Sequence, residues 1–114
     1  MSGGQLVTSP VLSQLTIDRR HDADSLTLVL RGEIDIASAP ALERALREAE
    51  LSSPRRIVLD LAGLAFLDSS AIHLLIDAQE RARTNRHHLV VTHVRAHARR
   101  LFELTGINAQ LTIQ

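Results

Sequence analysis

Two hydroxyls and a carboxylate, Asp68-Ser69-Ser70, stand between two apolar runs in the segment from Ile57 to Ile76. The run before them is β-rich; the run after carries Ile72, Leu75 and Ile76 at helical spacing. Asp and Ser favour helix N-termini because their oxygens accept from backbone N–H groups that have no partner within the helix. A helix start also carries partial positive charge, which suits phosphate. A phosphoserine placed there adds roughly −1.5 to −2 charges at neutral pH. The dipole offsets ~0.3–1 kcal/mol of that, so the helix need not unfold. The same charge set against an acidic partner surface costs several kcal/mol, and about 1.4 kcal/mol is tenfold in affinity. The chemistry open to this segment is therefore a switch of binding without a switch of fold. The plainer reading of the same tripeptide is a structural helix cap, and the tripeptide alone does not separate the two.

The elements that must position these residues follow from periodicity. Val11 to Ile17 reads as an edge strand, and His21 to Ser25 as a turn. Leu26, Leu28 and Leu30 alternate with Thr27, Val29 and Arg31, the period of a strand with one face buried. Gly32 interrupts this strand, and Glu33-Ile34-Asp35 follows. Ser38-Ala39-Pro40 reads as a helix start, with Ser38 capping free N–H groups and Pro tolerated in the first turn. Leu42, Ala45, Leu46 and Ala49 form the apolar stripe of that helix, which ends at Ser52-Ser53-Pro54. Ile57 to Leu61 is a buried strand, followed by a turn at Ala62-Gly63. The helix after Ser70 extends to about Thr84-Asn85. Leu89 to Val94 is another strand; Ala98, Leu101, Phe102 and Thr105 mark a third helix, and Gly106 is its left-handed stop. Leu111 to Ile113 is a last short strand. This alternation predicts an α/β fold: a mixed, mostly parallel sheet of four to five strands with helices packed against it.

Composition narrows the function. The chain has 114 residues, enough for one domain, and 45% of them are apolar. Thirteen Lys and Arg balance thirteen Asp and Glu, which removes the usual electrostatic reason to expect nucleic acid or an anionic membrane. There is no Trp or Tyr, so stacking platforms for single strands are lacking. There is no cysteine, which excludes disulfides and thiolate sites. No run reaches the roughly 18 apolar residues of a membrane span, and the start of the chain does not read as a secretory signal. The expectation is a cytoplasmic protein with a flexible tail over residues 1–10 and one domain over 11–114.

Three rival chemistries are weaker. A hydrolase would use Ser70, His73 and Asp68 or Asp77, but no Gly-x-Ser-x-Gly elbow is present. His93 and His97 are four apart, a metal-binding spacing on one helix, yet Val90, Val91 and Val94 put His93 on a strand. Arg81, Arg83, Arg86, Arg95, Arg99 and Arg100 make a basic second half that reads as a solvated face, with Arg99 and Arg100 available to a partner. No glycine loop of the phosphate-cradling kind appears, and no cofactor is expected.

The segment around Asp68-Ser69-Ser70 resembles the phosphorylation-site signature of STAS domains, most of all the stand-alone anti-sigma factor antagonists of the SpoIIAA type. Arg31-Gly32-Glu33-Ile34-Asp35 resembles the family's turn before its first helix, Ser38 and Leu42 fall where it has a hydroxyl and an apolar residue, and Arg100 to Ile107 resembles its last helix and glycine stop. The similarity covers about residues 11–114. It implies that Ser70 accepts phosphate and that Asp68, Ser69, Ala71, Asp35 and Ser38 shape the site and the partner contact. Ala71 stands where such antagonists often have glycine. The implied partners are an anti-sigma factor that is a serine kinase with its own bound ATP, and a separate phosphatase that resets Ser70. The protein itself is then no enzyme; its balanced charge gives no reason to expect direct nucleic-acid or membrane contact, and with no long apolar seam left after three helices dock, a monomer is expected when unbound. The alternative within the same family is a scaffold or signalling module of a larger stress-sensing assembly.

Overall fold

The computed structural model describes residues 15–114. The expected tail over residues 1–10 and the first part of the expected edge strand lie outside that range. Among the described residues, five strands and three helices alternate after an initial hairpin: β1 (Leu15–Asp22), β2 (Ser25–Ile34), α1 (Ala39–Leu51), β3 (Arg56–Leu67), α2 (Ser69–Asn85), β4 (His88–Thr92), α3 (Ala96–Thr105) and β5 (Thr112–Ile113). A 3-10 turn, Ile107–Ala109, precedes β5. The sheet order is β1-β2-β3-β4-β5; β1 pairs antiparallel with β2 and every other pair is parallel. The expected fold class therefore holds.

Because sheet order follows chain order, each right-handed crossover returns to the neighbouring strand, which places all three helices on one face. One core joins Leu26, Leu28 and Leu30 of β2, Ile57 and Leu59 of β3 and Val91 of β4 to Leu42, Leu46, Ile72, Leu75 and Phe102 of the helices. Val29 and Val90 are also buried, but they belong to the alternate face and stand outside that cluster.

Several element boundaries differ from the sequence expectation. The hairpin is tighter than expected: β1 runs through Asp22 and the turn is only Ala23-Asp24. Gly32 does not interrupt β2, which continues to Ile34. Ala62-Gly63 is no turn but part of β3, which runs unbroken to Leu67. The reason is a pair of β-bulges. From Val29 to Arg31, β2 advances two residues while β3 goes from Asp60 to Gly63; from Gly32 to Glu33, β3 goes from Leu64 to Phe66. The buried positions of β3 are therefore Ile57, Leu59, Leu61, Leu64 and Leu67, a spacing of two that becomes three. Gly63 suits the first bulge, since a Cβ there would lie 2.8 Å from Arg31 Cγ and 3.2 Å from the Leu30 carbonyl oxygen.

The ends of the helices carry the remaining differences. His93 is not on a strand: β4 stops at Thr92, and His93 takes a left-handed conformation at φ 58°. Its Nδ1 lies 3.0 Å from Asp60 Oδ1. Arg86 closes α2 in the left-handed region without a glycine, whereas Gly106 closes α3 at φ 78° as expected.

Candidate functional site

The candidate site lies where the carboxyl ends of β2 and β3 meet the starts of α1 and α2. In the register, Ile34 is paired with Leu67. The Asp68 N–H donates to the Ile34 carbonyl at 3.2 Å, so the two strand ends leave the sheet side by side. That single pairing brings the Asp35 turn and the Asp68-Ser69-Ser70 turn together.

Asp68 is the N-cap of α2. Its backbone is extended (φ −120°, ψ −168°), and its carboxylate accepts from the Ser70 N–H at 2.8 Å. Ser69 is the first helical residue and is exposed; Ser70 is the second and is half-buried. Ala71, expected among the residues that shape the site and the partner contact, is fully buried in the core, so it seats the helix from beneath and offers a partner no surface. Among the described residues, the hydrogen bond that Asp68's carboxylate makes is to this backbone group. The carboxylate thus orients the helix start and not the imidazole of His73, which removes Asp68 as the orienting acid of the hydrolase alternative.

The Asp35 turn is built differently from expectation. Ser38 was expected to cap α1 with its side chain, and it does not. Asp35 does that work: its Oδ1 accepts from the N–H groups of Ala37 and Ser38, each at 3.0 Å. The Ser38 hydroxyl, nearly buried, points back into the turn, accepting from the Asp35 N–H at 2.9 Å and lying 3.1 Å from both the Glu33 carbonyl and Asp35 Oδ1. The reversal follows from backbone conformation: Ser38 is already helical (φ −97°, ψ −16°), whereas a capping hydroxyl needs an extended residue. The Ser38 N–H, aided by its hydroxyl and the Ala37 N–H, holds the Asp35 carboxyl below the usual carboxylate value despite a smaller opposing effect of desolvation.

Ser70 borders a groove of about 260 Å³ between α1 and α2. Ile36, Pro40 and Glu43 form one wall; His73, Leu74 and Asp77 form the other. Ile36 is 81% exposed, an unusual state for an isoleucine. Sequence reasoning passed over it because a lone apolar residue in a turn belongs to no period. Arg99 and Arg100 are exposed on α3, and the structure does not bring them into this groove. Among the described residues no three His, Asp or Glu side chains converge on a metal-sized site, and no helix is long and apolar enough to cross a membrane.

Known proteins resemble this chain in sequence and in fold. The chain is 26% identical over 96 residues to the anti-sigma-B factor antagonist of Listeria monocytogenes, an overlap of 84% of each chain. An anti-sigma factor antagonist from Mycobacterium paratuberculosis superposes with a TM-score of 0.79 at 27% identity, over 87% of this chain and 84% of that one. The unphosphorylated form of the anti-sigma factor antagonist SpoIIAA superposes with a TM-score of 0.74 at 15% identity, over 87% and 88%, a likeness of fold. The profile of the family described as "Mlab, STAS domain" matches residues 17–113. With nearly the whole described sheet and all three helices inside that match, the chain belongs to the STAS domain family.

Proposed function

We propose that this protein is an anti-sigma factor antagonist whose partner is a serine kinase, bound while Ser70 is unmodified and released once Ser70 is phosphorylated. The observation that carries the reading is the placement of Ser70. Its backbone N–H is fixed by Asp68, its side chain lies on an open groove, and an exposed isoleucine stands on the opposite wall. Anti-sigma factor antagonists among the similar proteins supply the functional class.

Phosphoryl transfer here asks little of this chain beyond presentation. The Ser70 Oγ attacks the γ-phosphorus of ATP held by the partner. The bond from that phosphorus to the β–γ bridging oxygen breaks, ADP departs, and the hydroxyl proton passes to a base or water on the partner's side. Asp68 holds the first turn of α2 so that the nucleophile is delivered at a fixed point. The product phosphate adds roughly −1.5 to −2 charges. It then sits beside Glu43 and Asp77 on this chain and against the phosphates of ADP on the partner. Repulsion there, with the strong hydration of a dianion next to Ile36 and Leu74, weakens the complex. The helix start tolerates the new charge, so the fold persists. On this reading the chain is a substrate and a binding module, with no catalysis of its own, and a phosphatase restores Ser70.

The test is a pull-down from host lysate with Ser70→Ala and Ser70→Asp baits, together with mass spectrometry of the wild-type chain after incubation with lysate and ATP. The expected result is an ATP-binding serine kinase held by the Ala bait and lost from the Asp bait, with phosphate on Ser70. Equal retention of the same partners by both baits, with no phosphate on Ser70, would reduce Ser70 to a helix residue and overturn the reading.

A further inference from the structure

A second concavity lies away from Ser70. It is a cleft of about 740 Å³ at the opposite ends of α1 and α2. Arg81 lines both it and the Ser70 groove, so its side chain stands between the two along the seam of the helices. From Ser70 to Arg81 is eleven residues of helix, or roughly 16 Å.

The cleft is strongly cationic. Five arginines line it against two glutamates. Among the described residues Arg44 and Arg86 have no ion pair, and those of Arg47 and Arg55 are long and exposed, at 3.9 Å to Glu43 and 3.8 Å to Asp24. Arg81 directs its Nε at both oxygens of Glu50, at 2.9 and 3.1 Å, which leaves its buried Nη2 without a partner. Beside these cations stands Leu51, 84% exposed. Offsetting the helix dipoles accounts for only part of the group: Arg86 caps the end of α2, whereas the last turn of α1 holds no basic residue.

The shape and chemistry select among anions. A compact phosphate is best held by backbone N–H groups at a helix start. Here two helices end, so no helix-start N–H groups face the site and its donors are arginine side chains. Carboxylates spaced along a chain can meet the rim arginines singly while an apolar residue covers Leu51. We propose that this cleft is a second docking point that takes an acidic, leucine-bearing segment of the partner protein. The proposal rests on the antagonist reading for which protein supplies the segment. The complex then spans the helix seam, with its switch at Ser70 and an anchor at the far end that phosphorylation does not touch.

The probe is an acetylated, amidated peptide of sequence Glu-Glu-Leu-Leu-Glu-Glu, titrated into the isotope-labelled full chain and followed by NMR. The amides of Arg44, Leu51 and Arg86 should move, with shifts that shrink several-fold between about 50 and about 300 mM salt. The pair Arg44→Glu and Arg86→Asn should weaken binding by about fivefold, and Leu51→Ser alone should weaken it at unchanged charge. Both changes are at exposed positions, and asparagine accepts the left-handed conformation of Arg86. Absence of shifts at these residues, equal shifts from a Lys-Lys-Leu-Leu-Lys-Lys peptide, or equal shifts from inorganic phosphate at matched charge would overturn the proposal. The titration does not involve Ser70, so its failure leaves the switch standing, and failure of the bait experiment leaves the cleft's peptide binding standing.

Discussion

The Asp68 carboxylate accepts the Ser70 backbone N–H at 2.8 Å, which ties the start of α2 to the one serine that borders the groove. Removing that acceptor leaves a helix-start N–H unpaired. Asp68→Ala should lower stability by about 1 kcal/mol and the melting temperature by about 4–8 °C, while Asp68→Asn, which keeps an oxygen acceptor, should stay close to wild type. Thermal unfolding of the three proteins checks this; an unchanged Asp68→Ala would show that the cap is not holding the turn.

Ser38 is nearly buried and both donates and accepts within its turn. Ser38→Ala strands the Asp35 N–H and should cost about 1–3 kcal/mol in urea unfolding. Ser38→Thr should not restore the loss fully, because its extra methyl must fit where the serine is already enclosed.

Lowering pH should weaken the same turn. The Asp35 carboxyl is held below its ordinary value, chiefly by the Ser38 N–H, so the unfolded chain takes up that proton first as pH falls. The stabilisation is present above the unfolded value of about 3.9 and is lost as pH falls from there through the folded value. Urea midpoints across that window should fall more steeply for wild type than for Asp35→Asn.

His87 predicts a second, milder pH dependence nearer neutrality. Burial lowers the imidazole's proton affinity; Glu50 opposes this, and Arg81 and His88 add to it. The unfolded histidine therefore binds a proton before the folded one does. Stability should be full above about pH 6.5 and decline as pH falls below it, and His87→Gln should flatten that part of the profile. A profile of equal slope in both proteins would contradict the assignment.

Arg81 and Glu50 form the least exposed ion pair among the described residues, with side-chain exposures of 18% and 13%. Glu50→Ala leaves a guanidinium largely enclosed without its counter-charge and should cost about 2–4 kcal/mol. Replacing both residues, Arg81→Met with Glu50→Leu, should cost less than the single change. The double-mutant cycle, read by urea unfolding, gives the coupling directly.

The fold class was legible because the leucines of β2 and the stripes Leu42–Leu46–Ala49 and Ile72–Leu75 each hold one period throughout. The candidate site was legible where single residue types carry a local preference, as Asp68 does at a helix start. Legibility failed where pairing or backbone conformation decides. The bulges of β3 depend on its neighbour β2, so Ala62-Gly63 read as a turn. Ser38 and Asp35 have the same preference for caps, and only the helical backbone at Ser38 hands that role to Asp35. The far cleft was invisible because Arg44 and Leu51 belong to α1 and Arg86 to the end of α2, and only the packing of the two helices brings them together.

The two extra residues of β3 make its length between Asp60 and Leu67 a phase setting. Deleting one residue there would exchange the inward and outward positions that follow, turning Leu67 away from the core and Asp68 toward it. Substitution in that stretch can leave Ser70 where it is; a change of residue count cannot. Homologous sequences that align well but differ by one residue in this interval should have displaced the residue matching Ser70 or repaired the phase nearby. Insertions at the exposed Ser52-Ser53 turn, by contrast, should pass without consequence for Ser70.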